Sequence, residues 1–128
     1  MPPVPEEQLP LPVAGFDALY GLEVLSLGEE EATARVTVTD DIKQPAGLVH
    51  GGVYASIATW LAVHEDGKSA QGLSNQTSFL RPNVEGTIHA TARRRHRGRT
   101  TWVWEVDITD DEGRLCALVR MTVAVREP

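Results

Sequence analysis

The chain has 128 residues, 41% of them hydrophobic and 23% charged. That is enough for one domain with a real core and too few for two of ordinary size, and the composition is that of a globular protein rather than a disordered or fibrous one. A formal charge of −6 argues against general nucleic-acid binding. No apolar run approaches the ~20 residues of a membrane helix, and Met1 to Pro12 lacks the basic start and apolar centre of a signal peptide, so a cytoplasmic protein with no membrane partner is expected. The single Cys116 excludes an internal disulfide, cannot hold zinc alone, and in a strand reads as packing.

Residues 1–14 hold five of the eight prolines and no sustained apolar periodicity, so they read as an extended arm without chemistry; residues 15–128 read as a single domain. Gly15 to Tyr20 suits a short helical turn. Leu22 to Leu27 and Ala32 to Val38 follow as strands joined through Gly28, Glu29 and Glu30. A loop broken by Pro45 and Gly47 leads into His50-Gly51-Gly52 and a helix running through Val53-Tyr54-Ala55-Ser56-Ile57-Ala58 and Trp60 to Val63. That helix is apolar or small on nearly every face, so a sheet is expected to surround it.

The sheet comes from Lys68 to Phe79, Thr87 to Arg95, Thr101 to Thr109 and Arg114 to Val125, rich in threonine, valine and aromatics and separated by turn signals. Trp102, Trp104, Val106 and Ile108 share one face, as do Leu115, Ala117, Val119, Met121, Val123 and Val125, the period of strands with one buried side. The two tryptophans read as core or subunit interface. Asp110 to Gly113 reads as a hairpin turn. The expected organisation is hairpin, loop, central helix and then an antiparallel meander, an α+β fold. Arg93, Arg94, Arg95, Arg97 and Arg99 form a dense basic segment in an acidic chain; strand alternation lets at most two of them face one phosphate.

The segment Lys43-Gln44-Pro45-Ala46-Gly47-Leu48-Val49-His50-Gly51-Gly52-Val53-Tyr54-Ala55-Ser56 resembles the hotdog-fold acyl-CoA thioesterases, and among them the Arthrobacter-type 4-hydroxybenzoyl-CoA thioesterase branch. The resemblance runs from about residue 15 to 126 and includes Gly72 to Pro82, Thr100-Thr101-Trp102 and Gly113 to Ala117. It implies an antiparallel sheet wrapped around one central helix, hydrolysis of an acyl-CoA thioester, and no cofactor beyond the coenzyme A of the substrate. It also implies a homotetramer, a dimer of dimers, with sites between subunits. No metal cluster or phosphate loop is visible.

Thioester hydrolysis passes through a tetrahedral oxyanion, and backbone N–H groups at a helix N-terminus can stabilise it. Carried over from the family, the Gly51 amide polarises the carbonyl and Gln44 lies at the active site, with His50 a third catalytic candidate. Gly52, Ser74, Asn75 and Thr77 are candidates to line the acyl pocket. The Arg of Phe-x-Arg-Pro and the residue after the hairpin glycine give Arg81 and Thr100 as coenzyme A contacts, with Arg99 adding charge beside them.

The family's acidic residue, which attacks the thioester or activates water, lies seven places beyond the second glycine. Here that count falls on Thr59. The helix is short for the family by roughly two turns, and a gap after Ala58 places the carboxylate in the missing stretch. Glu65 and Asp66 are weak substitutes at a solvated helix end. The sequence thus points to a thioesterase acting on an aryl- or arylacetyl-CoA with its base unidentified. The alternatives are a noncatalytic acyl-CoA binder and, behind it, a dehydratase of 3-hydroxyacyl thioesters.

Overall fold

The computed structural model describes residues 9–64 and 69–126. Glu65, Asp66, Gly67, Lys68 and the first eight residues of the arm lie outside them. In chain order the elements are α1 (Phe16–Leu19), β1 (Glu23–Leu27), β2 (Glu31–Thr37), a 3-10 turn at Asp40–Ile42, α2 (Gly51–Val63), β3 (Ser69–Phe79), β4 (Thr87–Arg97), β5 (Thr101–Thr109) and β6 (Leu115–Arg126). The six strands form one antiparallel sheet in the order β1-β2-β4-β5-β6-β3. The sheet packs against α2 through β2 to β6, in the α+β hotdog arrangement implied by the resemblance.

Alternation decides which side chains reach the helix. β5 buries every second residue, Trp102, Trp104, Val106 and Ile108, so both tryptophans belong to the core. β6 departs from strict alternation at its start: Cys116 and Ala117 are both fully buried while Leu115 is 38% exposed. The cause is a register shift against β5 between Ile108 and Thr109, a bulge that turns one extra residue inward. Cys116 is therefore packing, as expected, and Leu115 is not core.

The meander holds for β4, β5 and β6, but β3 does not stand beside β4. It crosses to the far side of β6 and forms a sheet edge, paired with β6 from Ser69↔Arg126 to Phe79↔Ala117. At the other edge, Leu11 of the arm bonds Val24 through its amide (2.9 Å).

α2 is not enclosed on all sides. Val53, Tyr54, Ile57, Ala58, Leu61 and Ala62 are buried against the sheet, each large apolar side chain there stabilising the fold by about 1.5–3 kcal/mol. The opposite face, with Gly52, Ser56, Thr59, Trp60 and Val63, stays partly or fully exposed. Ser56 and Thr59 return their hydroxyl protons to the Gly52 and Ala55 carbonyls (2.7 and 2.8 Å), which satisfies those protons within the helix.

The basic segment on β4 is occupied within its own sheet. Arg93 pairs with Glu31 and Asp107, Arg95 with Glu105, and Arg97 with Glu29. Arg94 is buried, with its guanidinium 4.4 Å from the Trp102 ring centre and 4.9 Å from that of Trp104, and it donates to the Glu29 carbonyl. Four of the five arginines thus hold the β2–β4–β5 surface together. Among the described residues, Arg99 makes no ion pair.

Candidate active site

The first turn of α2 shows why the sequence places two glycines there. A helix leaves its first amides without partners inside the helix. His50 is the N-cap: its Nδ1 accepts from the Gly52 amide at 2.8 Å, and its carbonyl accepts from Val53 at 3.0 Å. The Gly51 amide makes no hydrogen bond among the described residues, so of the two candidate donors Gly51 is open to a ligand and Gly52 is spent on the cap. A Cβ on Gly51 would meet the Phe79 ring at 2.4 Å, so a larger residue there would have to push this exposed ring aside.

Around that amide lies a cleft of about 530 Å³ that includes Gln44, Leu48, Tyr54, Phe79, Leu80 and Arg81 in its lining. The loop before α2 is folded back on itself to deliver Gln44. The Gln44 amide donates to the Leu48 carbonyl (2.8 Å), Gly47 donates to the Gln44 carbonyl (2.9 Å), and Ala46 donates to Gln44 Oε1 (2.6 Å). The side-chain oxygen is thereby held, and the Gln44 NH2 group has no partner among the described residues. Tyr54 forms a wall of the cleft; burial, and then the nearby Cys116, push its phenol up to about 12, so it stays a neutral O–H.

Three of the predicted residues, Gln44, Gly51 and Arg81, therefore meet in one cleft, with a cation at the rim of an apolar hole. His50 and Gly52 line a neighbouring cleft of about 380 Å³ with Ser56, Phe16 and Tyr20. Asn75 lines a third, of about 540 Å³, where Asp17 of α1, Ser56, Thr59 and Trp60 also lie. Its amide donates to the Ala55 carbonyl (3.0 Å) and to Thr59 Oγ1 (3.2 Å), and its oxygen accepts from Thr77 (2.7 Å). Ser74 has the opposite strand parity to Asn75 and so faces away from α2; the structure does not bring it to any of these clefts.

Arg99 and Thr100 sit in the β4–β5 turn, where the Thr100 carbonyl accepts from Val125 (3.0 Å). Phe79 and Arg81 sit at the other end of β6, beside Ala117 and Cys116. Some seven residues of strand, about 23 Å, separate the two ends, so one chain alone does not unite Arg81 with Thr100.

Thr59 stands in the third turn of an unbroken α2, on the face of Gly52 and Ser56, and no carboxylate occupies its position. Two residues of these clefts stood out in no sequence pattern of their own as site candidates: Asp17, which had only a short helical turn as its context, and Phe79, whose ring lies against Gly51. The signal for Phe79 was present in its motif with Arg81.

Comparison with known proteins agrees with this geometry. The family described as the thioesterase superfamily matches residues 46–117, the stretch that carries the glycine pair, α2 and β3. Rv1847 of Mycobacterium tuberculosis is 40% identical over 127 residues, covering 91% of each chain, and its structure superposes with a TM-score of 0.80 over 88% of this chain and 97% of that one. The 1,4-dihydroxy-2-naphthoyl-CoA hydrolase of Listeria monocytogenes is 33% identical over 88% of this chain and 97% of its own. The structure of thioesterase HI1161 from Haemophilus influenzae, 32% identical, gives a TM-score of 0.77 over 86% of this chain and 81% of that one. The chain belongs to the thioesterase superfamily. It is a thioester hydrolase, acting on a small acyl-thioester substrate.

Proposed function

We propose that the chain hydrolyses an aryl- or arylacetyl-CoA thioester to the free acid and coenzyme A, in a site shared between two copies. The observation that carries this is the uncommitted Gly51 amide at the head of α2, facing a cleft walled by Tyr54, Phe79, Leu48 and Leu80. The carbonyl oxygen of the thioester accepts from Gly51, where the helix dipole adds to the hydrogen bond as negative charge develops. The Gln44 NH2 group orients the thioester, and Arg81 takes a phosphate of the nucleotide at the rim. A flat aryl group suits walls made of two rings and two leucines, and the naphthoyl-CoA hydrolase among the relatives supports that substrate class; the motif from Lys43 to Ser56 is what supports the 4-hydroxybenzoyl-CoA branch of the family.

The second copy is argued from β3. One side of this strand of eleven residues pairs with β6 and the other side has no partner among the described residues, while Leu73 and Phe79 are more than 60% exposed. A long unpaired edge with apolar side chains is a surface for another strand. Two β3 strands paired antiparallel about a two-fold axis near residue 74 bring Phe79 and Arg81 of one chain beside Ser69 of the other. Ser69 adjoins Arg126 and hence the turn of Arg99 and Thr100, so the axis unites the three predicted coenzyme A contacts. The same axis lays the start of one α2 beside the later turns of the other and covers the open helix face. Two such dimers make the tetramer implied by the resemblance.

Thiol release from benzoyl-, 4-hydroxybenzoyl- and phenylacetyl-CoA, set against acetyl- and hexanoyl-CoA, tests the substrate class. A kcat/KM for the aryl thioesters at least tenfold above the aliphatic ones is expected. Equal rates, or preference for the aliphatic chains, overturn the aryl reading.

A further inference from the structure

We propose that Asp17, from the short helix α1, is the general base of the reaction, taking the proton of the attacking water in place of a helix carboxylate. The inference rests on the hydrolase reading and on the β3-paired dimer, in which the Asp17 cleft of one chain lies beside Gly51 of the other.

Three features of the cleft point to this residue. Thr59 and Ser56 are unfit as bases or nucleophiles, because each hydroxyl proton is donated to a helix carbonyl four residues back; what they offer the cleft is lone pairs. Asn75 has both amide protons and its oxygen engaged, by Ala55, Thr59 and Thr77. Asp17, half-buried, is the carboxylate among the described residues of this cleft.

Asp17 is also oriented as a base must be. The Tyr20 hydroxyl donates to its Oδ1 at 2.5 Å, while Oδ2 has no partner among the described residues. Tyr20 is 7% exposed, and burial, together with the bond to Asp17, pushes its phenol far above the ordinary range, so it remains a donor at any working pH. A base fixed by a third group is the arrangement activated water requires.

Water in the cleft donates one O–H to Asp17 Oδ2 and the other to a lone pair of Thr59 or Ser56. As its oxygen bonds to the thioester carbon, the first proton passes to Asp17 and the carbonyl electrons move onto the oxygen at the Gly51 amide. Collapse of this intermediate breaks the C–S bond, and the proton held by Asp17 leaves with the coenzyme A thiolate.

The test is steady-state thiol release from the aryl-CoA panel by the wild-type chain and by Asp17→Ala, Asp17→Glu and Tyr20→Phe, with folding checked by circular dichroism. Removing a general base costs about 10²–10⁴-fold in rate. A fall of that size in kcat for Asp17→Ala, with KM changed less than about threefold, is expected. Added formate should recover part of the lost rate, and Asp17→Glu and Tyr20→Phe should fall between the extremes. A structural role for Asp17 would not respond to formate, so an inactive Asp17→Ala that formate leaves unchanged overturns the proposal. Wild-type kcat in a folded Asp17→Ala overturns it too and leaves the hydrolase reading standing, whereas no release by the wild-type chain removes both.

Discussion

Gly51 and Gly52 are adjacent and chemically identical, yet their amides do different things: that of Gly52 is bonded to His50 and that of Gly51 has no partner among the described residues. That assigns His50 the work of an N-cap, with its imidazole nitrogen in the place usually taken by a Ser, Asp or Asn oxygen. His50→Asn is therefore expected to hold stability within about 0.5 kcal/mol, and His50→Ala to lose about 1 kcal/mol, while both keep turnover within severalfold. Chemical denaturation and thiol release on the same samples check this, and a stable His50→Asn variant that has lost activity would instead make the imidazole catalytic. The glycine pair, Gln44 and Arg81 were legible in the sequence because their motifs are contiguous. Asp17 was not, because a four-residue helix has no periodicity to announce it and its place in the cleft depends on α1 packing against α2, a contact no local pattern encodes.

At the scale of elements, the β5–β6 turn shows how the sheet is pinned. Asp110 is almost buried, and that burial alone would raise its pKa. The Arg114 backbone and side chain (2.9 and 2.8 Å) and the Glu112 amide (3.0 Å) outweigh it and hold the carboxyl below the ordinary carboxylate range. A carboxylate whose pKa is lower in the folded chain stabilises it fully above the unfolded value of about 3.9 and loses that contribution as pH falls through the folded value. Asp110→Asn should melt at a lower temperature at neutral pH and show a shallower decline in melting temperature below about pH 4 than the wild-type chain. Parallel declines in thermal melts of the two proteins would contradict this. The strands themselves were readable from period-two patterns, since alternation follows from backbone geometry. Their order was not: nothing in Ser69 to Phe79 says that β3 pairs with β6 rather than β4, and the inward turn of Cys116 depends on a bulge set by the partner strand.

On the scale of the whole molecule, the described chain leaves unfinished an edge of the sheet and a face of α2, and both lie on the same side, where Asn75 ties β3 to the helix. The glycines at the head of α2 could be read from sequence, whereas a shared site could be reached there only through resemblance, because a symmetric contact leaves no spacing of its own. Leu73→Lys places like charges near the proposed two-fold axis, on an exposed side chain whose loss leaves the core intact. It should yield a folded chain of about half or less of the wild-type native mass, measured by light scattering, with turnover lost alongside. A fully active monomer would separate the site from the interface.

Whether the Gly51 and Gln44 cleft hydrolyses a thioester is tested most directly by kcat/KM for benzoyl-CoA in the wild-type and Gln44→Ala chains. Measurable thiol release by the wild-type chain is expected, with a drop of about 10²-fold or more on losing the positioning amide. A wild-type chain that binds benzoyl-CoA without releasing thiol, or a Gln44→Ala chain as active as the wild type, would contradict it.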